Sequence, residues 1–154
     1  MAEPNALATR PAFRIELDFD RTLRIGTLAG KRGFFRIAKG VVSGERLNGE
    51  VVDDGGDWIA FRPDGVVETD SRLVIRAADG TLIYLRSRGV LRVRPGQLAE
   101  YEANGALDGG DGYYRTAPWF DTPVGPHDWL TKTLFVGTGR FSGSRSVIDI
   151  HEVL

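Results

Sequence analysis

Two Asp-Gly pairs, Asp64-Gly65 and Asp79-Gly80, each separate runs in which apolar and polar residues alternate. Asp-Gly adopts the positive φ angles of a tight hairpin turn, and alternation of period two turns one side of each run toward a core. The spacing predicts a three-stranded antiparallel meander made of Asp57–Arg62, Val66–Arg76 and Thr81–Arg86, with a further short strand at Val90–Val93. On the middle strand Asp70, Arg72 and Val74 share one face, and Val67, Leu73 and Ile75 belong to the other.

The rest of the chain carries the same period. Phe13, Ile15, Leu17 and Phe19 alternate with Arg14, Glu16 and Asp18, the pattern of a half-buried strand. Leu23–Ile25, Gly33–Ile37, Tyr113–Phe120, Trp129–Val136 and Val147–Val153 are further strand candidates. Only Gln97–Ala103, with Leu98 and Tyr101 three apart, reads as a short helix, and Gly105–Gly112 reads as a loop. Residues 1–11, with Pro4 and Pro11, are expected to be a flexible lead-in, and residues 12–154 a single domain. About eight to ten short strands with glycine bends point to an all-β fold, a closed antiparallel β-barrel, because closure removes exposed sheet edges.

Composition narrows the function classes. The chain has no cysteine, which excludes disulfides, thiolate zinc sites and a cysteine nucleophile. Lys plus Arg number 20 against 21 Asp plus Glu, a balance that argues against a nucleic-acid partner. No apolar run reaches the length of a membrane span, and Met1–Pro11 has no apolar core of signal-peptide length, so a cytoplasmic protein without a membrane partner is expected.

Several suggestive motifs fail on inspection. Gly137-Thr138-Gly139 lacks the third glycine and the strand-to-helix setting of a dinucleotide loop, so a hairpin turn is the expectation there. Ser142 and Ser144 do not form a nucleophile elbow, and Asp108 and Asp111 lack the ligand spacing of a calcium loop. His127 and His151 have no neighbouring histidine, so no metal site is expected and both read as surface or hydrogen-bonded residues. No cofactor is expected. What remains is a set of polar and aromatic residues on strands: Asp57, Trp58, Arg72, Tyr84, Tyr113, Arg115, Trp129 and Lys132. On residue type alone Arg72 belongs in solvent, since arginine is seldom buried unpaired.

The motifs resemble those of a bacterial and fungal family, domain of unknown function 3237, also called uncharacterised protein family 0311. The matching stretches are Gly40-x-x-x-Gly44-x-x-Leu47-x-Gly49, Gly55-Gly56-Asp57-Trp58, Arg62-x-Asp64-Gly65, Asp70-Ser71-Arg72 and Asp79-Gly80-x-x-Ile83-Tyr84. Arg88-Gly89, Tyr113-Tyr114-Arg115-Thr116, Phe120-x-Thr122, Trp129-Leu130 and Phe135-Val136-Gly137-x-Gly139 follow in order, so the resemblance spans Phe13 to Leu154. It implies a calycin-like or allene-oxide-cyclase-like barrel with an internal pocket. Two positions depart: Thr131 stands where an Asn is frequent, and Lys39-Gly40 where a Gly-Gly pair is common.

The resemblance also turns the expectation for Arg72 around, toward a cation that faces the cavity and contacts an oxygen-bearing group. The expected catalytic set is then Asp57, Arg72, Tyr84 and Tyr113, with Trp58, Arg115, Trp129, Thr131 and Phe135 binding the ligand. Aromatic walls with a few convergent polar groups are what a small-molecule pocket requires. The favoured function is a cofactor-independent isomerase, cyclase or lyase acting by proton transfer on a small apolar or aromatic oxygen-bearing compound. The alternatives are a lipocalin-like binding protein and an interaction module with a filled interior. A homo-oligomer is left open.

Overall fold

The computed structural model describes residues 6–28, 30–94, 96–104, 107 and 112–154. Nine strands form one antiparallel sheet: β1 (Thr9–Thr27), β2 (Gly30–Gly44), β3 (Gly49–Val51), β4 (Gly56–Phe61), β5 (Val66–Ala77), β6 (Leu82–Arg92), β7 (Tyr113–Asp121), β8 (Phe135–Ser142) and β9 (Arg145–Val153). A helix α1 (Gln97–Asn104) follows β6, and a 3-10 turn (Asp128–Thr131) precedes β8.

The pairings return to their start. β1 pairs with β9, β9 with β8, and so on through β7 and β6 to β5. The short strands β3 and β4 each pair with β5 on one side and β2 on the other, and β2 pairs with β1. The sheet is therefore a ring with its apolar side chains inside. Phe13, Ile15, Leu17, Ile37, Ile59, Ile75, Ile83 and Ile150 are all buried there. Tyr101 on α1 enters this core and sets its ring edge-on against Phe35 and Phe61.

The meander is present as the Asp-Gly turns require, with Gly65 and Gly80 at positive φ. Its last strand is longer than expected: β6 runs through Gly89 without a break. A Cβ on Gly89 would lie 2.5 Å from Thr69 Oγ1, so this glycine answers to close packing and not to a turn. Gly137 and Gly139 correct the sequence reading in the same way. They lie inside β8 and not in a hairpin turn, because a Cβ at either would strike Thr116 or Tyr114. The β8–β9 turn is at Gly143, whose φ is +59°.

Two boundaries also differ from expectation. Thr9, Arg10 and Pro11 pair with Val153, Glu152 and His151 and so belong to the sheet, not to the lead-in. Pro11 lies beside a register shift, where its missing N–H costs no ladder bond. Trp129–Thr131, expected as strand, lies in the 3-10 turn, where the Thr131 hydroxyl bonds back to the Asp128 carbonyl. Asp108 and Asp111 lie outside the described residues. No helix is long and apolar enough to cross a membrane among the described residues.

Candidate functional site

Two adjacent inward rows across β4 to β7 carry short polar side chains within the apolar core. Asp57 alternates in phase with Ile59 and Phe61, so the pleat of β4 turns it inside. Its cross-strand neighbour on β5 is Ser71, then Ser87 on β6, then Pro118 on β7. The next inward row runs Ile59, Thr69, Gly89, Thr116 and Gly137. Asp57, Thr69, Ser71, Ser87 and Thr116 are all buried.

Asp57 is the acidic member of this group. It is 3% exposed and forms no salt bridge among the described residues. The Asp70 amide donates to its Oδ1 at 3.1 Å, and the Ser71 hydroxyl faces it. Burial pushes its pKa up to about 7. The Ser71 hydroxyl and the Asp70 amide oppose that rise, and the Asp70 charge adds to it. A carboxyl group poised near neutrality exchanges protons readily in either direction.

Other polar groups share this part of the interior. Thr116 Oγ1 is buried without a hydrogen-bond partner, and a buried hydroxyl left unpaired is destabilising, while the Thr69 hydroxyl has the Tyr114 phenol beside it. Tyr101 and Tyr114 enclose the same interior. Burial, and then the Asp57 charge, raises both phenols above their ordinary range, so both stay protonated donors. The Tyr114 ring stacks on Phe141 at 5.3 Å and lies over Gly139. The ring of strands is thinnest beside this group: β7 and β8 share only the pairs Arg115–Thr138 and Thr116–Gly137. Pro118, which has no N–H to offer, lies two residues beyond Thr116 on the same strand. A recess of about 260 Å³ lies outside that seam, lined by Pro118, Phe120, Leu130, Thr131 and Leu134 among others.

The structure divides the expected site residues between two faces. Asp57 and Phe135 point inside, and Trp129 packs against Phe13 and Phe135 at the edge of the core. Thr131 is exposed in the outer recess. Trp58, Tyr84, Tyr113 and Arg115 lie on the outer surface, with Trp58 resting on Phe34 and Arg115 over the Tyr113 ring. An inward Arg72 is also corrected. Its side chain is 52% exposed with Asp70 at 3.8 Å, because Leu73 and Ser71 hold the inward phase on either side. Lys132 is exposed and pairs with Asp128.

Thr69, Ser71, Ser87, Tyr101, Tyr114 and Thr116 were missed as site residues. Thr69 and Ser71 are in phase with Val67, Leu73 and Ile75, which is the signal that places them inside. His127 is hydrogen-bonded to Asp79 at 2.9 Å. No group of three or more His, Asp or Glu that could hold a metal occurs among the described residues.

Fold and site together define a class: an all-β ring protein with a buried carboxyl group, unpaired with any cation among the described residues, set among hydroxyl groups. A family model described as Protein of unknown function (DUF3237) matches residues 7–153, and the chain belongs to that family. A UPF0311 protein of Rhodopseudomonas palustris is 32% identical over 152 residues, covering 94% of this chain and 99% of that one. A UPF0311 protein of Clostridium acetobutylicum is 32% identical over 126 residues, 80% of each chain. Among solved structures, a protein of unknown function from R. palustris superposes with a TM-score of 0.89 at 29% identity, covering 97% of this chain and 99% of its own. A β-barrel-like protein from Acinetobacter baumannii gives 0.84 at 26% identity over the whole of both chains. An enzyme from Penicillium herquei shares the fold at 0.73 with 14% identity, covering 100% of this chain and 99% of its own.

Proposed function

We propose that the protein is a cofactor-independent enzyme of isomerase, cyclase or lyase type, acting on a small apolar or aromatic oxygen-bearing compound held inside a closed barrel. The observation that carries the proposal is Asp57, a buried carboxyl group without a cation and with a pKa pushed up to about 7. Burial that destabilises the ionised form, in a site lined by buried hydroxyl groups, is a recurrent property of catalytic carboxylates. The Penicillium herquei enzyme of the same fold is consistent with this reading.

In the proposed reaction Asp57 carboxylate removes a proton from a carbon beside a carbonyl group. The electron pair moves onto the carbonyl oxygen, where Thr69, Thr116 or Tyr114 donates a hydrogen bond. The Asp57 acid then returns the proton to another atom of the same molecule, so nothing is consumed. The interior is packed around Tyr101, and a substrate enters by displacing α1 or by parting the short β7–β8 seam.

The test is a panel of small ketones, lactones and phenols incubated in deuterated water, with solvent deuterium entering carbon followed by NMR. Wild-type protein should catalyse exchange with a pH profile inflecting near 7. Asp57→Asn should lose about 10²- to 10⁴-fold, the usual contribution of a positioned acid–base group. An Asp57 carboxyl that titrates in the ordinary carboxylate range by NMR overturns the proposal, as does an Asp57→Asn protein with the wild-type rate.

A further inference from the structure

We propose that the outer face of β6 and β7 joins two copies of this chain in an isologous dimer. Outward residues on these strands form three cross-strand pairs in succession: Arg88–Ala117, Arg86–Trp119 and Tyr84–Asp121. Trp119 is 65% exposed, an unusual position for so large an apolar side chain. Beside it runs a groove of about 690 Å³ whose walls include Tyr84, Arg86 and Arg88. The patch thus offers a projecting indole and a hollow next to each other.

Its charges are arranged for self-association. Arg86 is engaged by Asp70 at 3.3 Å. The side chains of Arg88 and Asp121 have no hydrogen bond or ion pair among the described residues. They flank the Arg86–Trp119 row on opposite sides. An isologous interface must be complementary to itself, so that each contact occurs twice. A two-fold axis lying in the interface and crossing the strands at the Arg86–Trp119 row exchanges the two flanking rows. Arg88 of one copy then meets Asp121 of the other, and the reverse pair forms at the far end. The same axis sets Trp119 of one copy against Trp119 of the other, between the two Arg88–Asp121 contacts.

Other occupants fit less well. A small anion drawn to Arg88 also meets the Asp121 carboxylate. A nucleic acid meets Asp70, Asp121 and the Glu68 carboxylate on the same outer face, on a chain of net charge -1. Trp, Tyr and Arg are the residues in which interface energy concentrates.

Sedimentation equilibrium over a concentration series tests the proposal, with far-UV circular dichroism confirming that each variant folds. The wild type should be a monomer–dimer system, and Trp119→Ser should raise the dimer Kd by about 30-fold or more, as loss of an interface anchor does. Arg88→Asp and Asp121→Arg should each weaken the dimer, and combining the two should restore it. A wild type that stays monomeric throughout overturns the proposal and leaves the patch to another ligand. A dimer indifferent to Trp119→Ser, or a double variant no stronger than the singles, places any association on another face and also overturns it.

Discussion

Glu152 and Asp57 are both buried acids at inward positions of the same ring, 5% and 3% exposed, yet they are held in opposite ways. Glu152 lies near the strand ends, where Arg10 grips it with two hydrogen bonds of 2.9 and 2.7 Å and Arg46 adds a third at 3.4 Å. Both arginines reach it from solvent, with side chains 60% and 50% exposed. Asp57 lies between Phe35 and Ser71 across its two neighbouring strands and receives one amide hydrogen bond with a hydroxyl facing it. An ionised group taken out of water without a cation is destabilising, whereas a paired one has its desolvation offset. Glu152 fits a fastening in the fold. Asp57 makes the fold less stable whenever it ionises, which is the usual signature of a group kept for chemistry.

The largest expected consequence is in the pH dependence of stability. The Asp57 carboxyl has a folded pKa of about 7, above its ordinary value of 3.8, so between those limits the folded state holds a proton that the unfolded state has released. Stability is then full below the ordinary value and declines as pH rises toward 7, by on the order of 4 kcal/mol in all. Asp18 and Asp149 work in the opposite direction, held low by Arg145 and Arg14, so their contribution is lost only as pH falls below the usual carboxylate range. Urea unfolding across a pH series from the ordinary carboxylate range up to neutrality should show the decline in wild type and lose it in Asp57→Asn. A variant that retains the slope breaks the contrast between the two acids.

Glu152→Gln should cost about 1–3 kcal/mol at neutral pH, the range for charged hydrogen bonds, with no effect on deuterium exchange into substrate. A neutral outcome in thermal melts would remove Glu152 from the structural role. Gly139→Ala should cost a similar 1–3 kcal/mol through overpacking, since its Cβ would lie 2.0 Å from the Tyr114 ring. The same melts check it, and a wild-type midpoint would show that Tyr114 can move aside. The smallest effect belongs to Arg72→Met, within about 0.5 kcal/mol and without loss of turnover, because that side chain serves only an exposed ion pair. A large loss of activity there would move the chemistry to the outer face.

The fold was legible where local chemistry decides it. Asp64-Gly65 and Asp79-Gly80 turn the chain, and the alternation in β5 sorted Asp70, Arg72 and Val74 from Val67, Leu73 and Ile75 correctly. The family resemblance outweighed that alternation for Arg72, and the pleat prevailed. In the Asp57-Trp58 and Tyr113-Tyr114 pairs both members have functional chemistry, and only the phase of the strand decides which one enters the ring. Thr69, Ser71, Ser87 and Thr116 gave no signal by type, since short hydroxyl residues are ordinary in solvent as well. Gly137 and Gly139 were misread because a glycine looks the same in sequence whether it bends the chain or makes room for a neighbouring ring.

The pairing of β1 with β9 has a further consequence, for the order of events during synthesis. β1 finds β2 at once, across a short hairpin, but its other edge faces β9, and the Leu154 amide reaches the Ala8 carbonyl at 2.9 Å. Until β9 has emerged from the ribosome, that edge presents unpaired backbone groups along nine register positions, Thr9 to Asp18. An unmatched strand edge invites pairing with other chains. Nascent chains are therefore most exposed to misassembly on polysomes just before the final strand arrives, and Arg10, Arg14 and Asp18 put charge along that waiting edge.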